Sequence, residues 1–207
     1  MNMACGRDSA GCATRVGAET LREPFAHKFW RLAVFAVMAI SSAAAQHPQP
    51  TEYEVKAVYI YDFSRFVEWP AKAGQIADGF SICILGQDPF GESLNNALAN
   101  VAIAGKEVAI KRISEPEEAE KCRVLFISGS EEKRLKQILE ALDGASILTV
   151  SDMPEFTARG GMMQFVWDGH RVRFEVNLAT AEHAGLSLSS ELLKVAVNVK
   201  RTGPGGD

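Results

Sequence analysis

Residues 80–91 read FSICILGQDPFG: a short apolar run, a glycine, a polar turn and a second glycine. An apolar run of this length bounded by turn residues is the pattern of a strand buried on both faces. The pattern returns at residues 122–131, CRVLFISGSE, and at residues 146–152, SILTVSD. Between these runs the sequence predicts a short helix around 91–99 and a longer one from Ser130, standing as its cap, to about Leu142. Residues 101–103 and 107–113 read as a strand pair around Ala104-Gly105-Lys106. Strands alternating with helices predict an α/β layered domain with a mainly parallel sheet. One antiparallel hairpin is expected near the C-terminus, where MQFVW (163–167) and HRVRFEV (170–176) flank Asp168-Gly169.

Upstream of this block, QHPQP (46–50) leads into Thr51-x-x-Glu54, a capping box, and a helix is predicted from there to Trp69, stopped by Pro70. On a wheel of 100° per residue its apolar positions cover roughly 220°, where an ordinary surface helix needs little more than ~100°. Glu52, Lys56 and Asp62 interrupt that arc. Such a helix has two sides to bury, inside its own domain or against another chain. Downstream, a last helix is predicted over about 189–199, followed by a disordered tail, RTGPGGD (201–207).

The first 45 residues differ in character. Basic residues Lys28 and Arg31 precede LAVFAVMAI (32–40), and an Ala-x-Ala end follows at Ala43 and Ala45. That layout predicts an export signal cleaved after Ala45; the run is too short for the ~20 apolar residues of a membrane span. The predicted organisation is an N-terminal extension and signal (1–45), a linker (46–51), one α/β domain (52–200) and the tail (201–207). Over residues 46–207, 17 basic side chains face 23 acidic ones, a net charge of −6. With no basic patch or stripe, nucleic acid is excluded as an expected partner.

Export would leave two cysteines, Cys83 inside the 80–85 run and Cys122 just before the run at 123–128. In an oxidising compartment, two thiols near neighbouring strands are expected to bond. Strand spacing of ~4.8 Å is compatible with disulfide Cα separations of ~4.4–6.8 Å. Two inert buried thiols are the alternative, since free cysteine is commonly buried.

Motifs for catalysis are scarce. The loop from Gly86 to Gly91 lacks GxGxxG and the lysine and hydroxyl of a P-loop, and Asp88-Pro89 makes a turn in its own right. Ser128-Gly129-Ser130 could hold an anion on free backbone N–H groups, although helix capping explains the same residues more simply. No GxSxG elbow occurs. His47, His170 and His183 form no close pair with another ligand, so no zinc site is expected. Asp152 and Glu155 place two carboxylates near a strand's C-terminal end, where α/β domains bind ligands; a solvated turn accounts for them more simply. Neither enzyme activity, metal nor cofactor is expected.

Taken in order, KAVYIYDFSRFVEWP (56–70), ICILGQDPFG (82–91), CRVLFISGSE (122–131), ILTVSD (147–152), GGMMQF (160–165), RFEVNLATAEHAGL (173–186) and SSELL (189–193) resemble the YfiR family of bacterial periplasmic proteins. The resemblance implies a Rossmann-like α/β fold that tends to dimerise and acts without catalysis. Members bind the periplasmic sensor domain of an inner-membrane diguanylate cyclase and hold it inactive, lowering cyclic di-GMP. They are titrated by an OmpA-like outer-membrane lipoprotein and respond to the redox state of their cysteines. Cys83 and Cys122 match the family's disulfide positions; the second pair of some members is missing, since no cysteine follows Cys122. On this reading Tyr59, Tyr61, Phe66 and Trp69 are candidate partner anchors. A periplasmic small-molecule binder or solute sensor is the alternative, with Gly86, Asp88, Ser128, Ser130 and Asp152 lining its site.

Overall fold

The computed structural model describes residues 49–71, 79–99, 101–103 and 105–201. The expected signal and its cleavage point, and most of the tail, lie outside the described residues. In chain order the elements are α1 (Glu52–Phe66), β1 (Val67–Glu68), β2 (Phe80–Leu85), α2 (Glu92–Leu98), β3 (Ala102–Ile103), β4 (Lys106–Ile113), β5 (Val124–Ile127), α3 (Leu135–Ala141), β6 (Leu148–Ser151), β7 (Met163–Trp167), β8 (Val172–Asn177), α4 (Leu178–His183), β9 (Ser187–Leu188), α5 (Ser190–Val195) and β10 (Asn198–Lys200). Short 3-10 helices at Pro116–Lys121 and Gly129–Arg134 precede β5 and α3. Among the described residues, no helix is long and apolar enough to cross a membrane.

One sheet has the order β10-β8-β7-β6-β5-β2-β4-β3, and β1 pairs with β9 apart from it. Pairings β4-β2, β2-β5, β5-β6 and β6-β7 are parallel, whereas β7-β8 and β3-β4 are antiparallel. This is the mainly parallel α/β sheet expected, with the C-terminal hairpin in place. Its central strands β2, β5 and β6 are buried at every position because both faces are covered. Ala57, Ile60 and Phe63 of α1 and Leu94 and Leu98 of α2 pack on Ile82, Ile84, Val124 and Phe126. Leu135 and Ile138 of α3 pack on Cys83, Leu85, Leu125 and Ile127 across the sheet. The chain adds β4 on one side of β2, then β5 on the other, so the direction of travel reverses at β2. The C-terminal ends of β2 and β5 therefore form the switch point of a doubly wound sheet.

Four expectations are corrected. The first helix ends at Phe66 rather than Trp69, because Val67 and Glu68 turn extended and pair with Leu188 and Ser187. Ser128, not Ser130, caps the segment before α3, its hydroxyl accepting from Ser130 N, and that segment begins as a 3-10 helix. The hairpin loop is Asp168–Arg171, four residues rather than two, since Trp167 pairs with Val172. The last helix stops at Val195, and residues 198–200 form a parallel strand against Glu175–Asn177. In that last case the backbone of residues 198–200 satisfies an open edge of β8 that a helix would have left unpaired.

The wide apolar arc of α1 is spent within its own domain. Phe63 stacks near Phe165 and meets Phe174 edge-on, while Tyr59 contacts the same three rings. Lys56, an interruption of the arc on the wheel, is 4% exposed, and its charge is matched locally.

Candidate functional site

Cys83 and Cys122 are joined, with Cα atoms 5.9 Å apart and a sequence separation of 39. Cys83 sits in the middle of β2 facing the α3 layer, and Cys122 lies just below β5. The bond therefore clamps the two strands that carry the switch point.

At that switch point a cleft of about 490 Å³ is lined by Gly86, Ser114, Glu115, Ser130, Glu131 and Arg134, among others, and the space directly above Gly86 is taken by side chains. Gly86 has φ +87°, and a Cβ there would lie 2.4 Å from Glu131 Oε1 and 2.5 Å from Ser130 Oγ. Only glycine leaves room for both. Ser130 Oγ accepts from Gln87 N at 3.0 Å and stands 3.1 Å from Glu131 Oε1. Arg134 bonds Glu131 and reaches Glu115 at 2.9 Å; these two carboxylates raise its pKa. Asp88 accepts from Phe90 N at 2.8 Å as a turn former and pairs with Arg112 at 2.8 Å. Ser128 is a cap. Gly86, Asp88, Ser128 and Ser130 thus come together, with a buried carboxylate between them.

Asp152 stands apart, past the end of β6. Its carboxylate lies 2.6 Å from Lys56 Nζ and accepts from the Tyr53 hydroxyl at 3.0 Å. Glu52 adds a second contact to Lys56 at 2.5 Å, and the ammonium lies 4.4 Å from the Tyr53 ring. Burial pulls the Lys56 pKa down, but hydrogen bonds to Asp152 and Glu52 outweigh it and hold the group above its ordinary value. Burial, then the neighbouring Asp152 charge, raise Tyr53. Glu155 is exposed with φ +58° and is not part of this cluster. Among the described residues, no group of three His, Cys, Asp or Glu side chains is placed to hold a metal.

The four aromatic candidates are half-buried against the domain itself. Tyr59 donates to Val172 O at 3.4 Å. Tyr61 and Phe66 pack on the core, and the Arg65 guanidinium lies 5.5 Å from the Tyr61 ring centre. Trp69 meets Phe80 edge-on. The exposed large apolar side chains are instead Trp167 (59%), Val195 (54%), Val58 (51%) and Val197 (43%). Trp167 pairs with Val172, whose carbonyl accepts from Tyr59, and Val58 precedes Tyr59 on α1. Arg173 donates to Val195 O, and Val197 N donates to Phe174 O. Sequence reasoning missed this set, since a tryptophan at the end of a hairpin strand reads as core; its place beside the Asp-Gly turn was the available signal.

The YfiR/HmsC-like family model matches residues 53–197. Among solved structures, a conserved domain protein from Vibrio cholerae O1 biovar eltor is 13% identical, with a TM-score of 0.50, over 72% of this chain and 60% of its own. The ABC domain in complex with L-Trp from Streptococcus pneumonia is 11% identical, with a TM-score of 0.48, over the same shares. The chain spans about 60% of the length of these solved structures. Likeness at this identity concerns the fold alone.

Proposed function

Because the chain belongs to the YfiR/HmsC-like family, we propose that it is a periplasmic, non-catalytic regulator of cyclic di-GMP signalling. In this reading it is exported by the signal ending at Ala45, and it binds and represses the sensor domain of an inner-membrane diguanylate cyclase. The family match over residues 53–197 is the observation that carries the proposal. The Cys83–Cys122 bond supports it, because such bonds persist in oxidising compartments. Repression by binding needs only a higher affinity for the enzyme's inactive state.

The partner-facing surface in this reading is the apolar set Val58, Trp167, Val195 and Val197, with Tyr61 and Phe66 on the adjoining helix. Exposed large apolar side chains are what an interface can bury, and a tryptophan is the side chain best suited to anchor it. Tyr59 and Trp69 would act indirectly, by holding α1 in place. A homodimer and an OmpA-like lipoprotein that competes for the protein complete the proposal. The small-molecule alternative would use the cleft of about 490 Å³ beside Gly86, where Glu131 and Arg134 are already paired with each other.

Deleting the gene should raise cellular cyclic di-GMP, and expression of the intact gene should restore it. An unchanged level, with the cyclase present, would sink the proposal. Trp167→Asp, which removes an exposed side chain, should leave the fold intact and weaken capture of the cyclase sensor domain at least tenfold.

A further inference from the structure

At the opposite pole of the sheet, beneath the N-terminal ends of β2, β4 and β5, lies a cavity of about 440 Å³. Its described lining carries three cations, Arg65, Lys106 and Arg123, and no carboxylate. Trp69, Phe80 and Ile103 supply apolar wall. Arg123 is 7% exposed, yet no hydrogen bond or ion pair meets its guanidinium among the described residues. Its backbone is committed to the sheet, with N donating to Ser81 O and O accepting from Leu148 N, so the side chain is what remains to line the cavity. Burial alone acts on the group, lowering its pKa. Trp69 Nε1 is likewise buried with no acceptor. Two orphaned donors of different residues on one cavity are unusual, because buried donors are nearly always paired.

We propose that this cavity binds a small carboxylate with an apolar body. The Arg123 fork matches a carboxylate bidentately, and Trp69 turns its N–H onto the same group. The apolar body packs against Phe80 and Ile103, in a volume within the range of small-molecule sites. Occupation would give both donors acceptors and neutralise a buried charge that costs stability while unpaired.

The test uses protein purified from the full-length gene, with phenylacetate and acetate as probes. The indole N–H resonance of Trp69, assigned by its loss in Trp69→Phe, should move on adding phenylacetate. Tm should rise with the logarithm of phenylacetate concentration. Acetate should bind at least about tenfold more weakly, since burial of a ring is lost. Arg123→Met should weaken phenylacetate about tenfold or more, while its Tm without ligand equals or exceeds that of wild type. A stationary Trp69 resonance in millimolar phenylacetate would overturn the proposal. So would equal affinity for acetate, or full phenylacetate affinity in Arg123→Met. A ligand-free Arg123→Met far less stable than wild type would show that the guanidinium already has partners, with the same consequence. Every readout uses the isolated protein, so failure here leaves the regulatory reading standing.

Discussion

At the C-terminal ends of β2 and β5, Glu131 and Ser130 occupy the space directly above Gly86, and in the cleft of about 490 Å³ beside them Glu131 and Glu115 are paired with Arg134 and Ser130 with Gln87. At the N-terminal ends of the same strands, Arg123 and Trp69 border an open cavity with donors that no acceptor meets. The fold's convention puts ligands at the first pole, but there Glu131, Ser130, Glu115 and Arg134 are already committed to other protein groups. The difference teaches that a topological site is only an opportunity: which pole can bind is decided by whether its polar groups are already satisfied.

Helix α1 joins the two poles. Its start, at Tyr53 and Lys56, meets Asp152 beyond β6, and its end, at Ser64 and Arg65, lines the lower cavity. The disulfide holds β2 to β5 between them. Removing it by Cys83→Ala with Cys122→Ala should therefore affect both poles and is the largest change expected. For a loop of 39 residues the chain-entropy cost is about 4 kcal/mol, a large share of a typical domain's stability. Urea unfolding of the oxidised protein and the double variant measures it. A loss below about 1 kcal/mol would show that packing alone registers the strands.

The upper end of α1 comes next. Asp152→Asn leaves Lys56 buried with Glu52 alone, at a cost of about 2–3 kcal/mol, less than a fully enclosed pair because Asp152 keeps some solvent contact. The pH dependence carries the same information. Lys56 and Tyr53 both have raised pKa values in the fold, so the folded protein holds these protons more tightly than the unfolded chain. Stability from the cluster is complete at neutral pH and falls as pH rises past about 10. Asp152→Asn should flatten that alkaline fall, read as Tm against pH. An identical alkaline slope in the variant would separate Asp152 from the cluster.

Much of this was legible beforehand, and the rest was hidden for definable reasons. The strands at Phe80–Leu85, Val124–Ile127 and Leu148–Ser151 announce themselves as apolar runs, because strands buried on both faces have no polar alternation to confuse them. Cys83 and Cys122 were readable because they are the last two cysteines and flank neighbouring runs. Strand β10 was not: NVK continues a helical stretch in sequence, and only the open edge of β8 makes it extended. Asp152 looked like a ligand because its counter-ion lies 96 residues earlier, and Lys56 looked like a flaw in an apolar arc for the same reason. Arg123 gave no signal, since an arginine before a strand is ordinary until its lack of a partner is seen.

The packing of the upper pole can be tested at Gly86. Gly86→Ala forces an L-residue to φ +87° and drives Cβ into Glu131, costing about 2 kcal/mol. In a Glu131→Ala background the clash with Glu131 disappears, leaving the 2.5 Å approach to Ser130 Oγ and the backbone strain, so the two substitutions should couple favourably in a double-mutant cycle. Strict additivity would mean that Glu131 moves aside freely and that the packing above Gly86 is loose.

The smallest effects give the sharpest contrast between the poles. Ser130→Ala takes the acceptor from Gln87 N and should cost about 1 kcal/mol, the net worth of one hydrogen bond. Trp69→Phe removes more atoms, and loss of their burial should cost about 1–2 kcal/mol. It also removes an orphaned buried donor, whose desolvation penalty is about 1–3 kcal/mol. These two contributions offset, so the ligand-free protein should change by less than about 1 kcal/mol in urea unfolding. The pole that has lost a larger side chain would then be no less stable than the pole that has lost one hydroxyl. A Trp69→Phe cost well above 2 kcal/mol would mean that the indole N–H already has its acceptor, and the two poles would no longer differ.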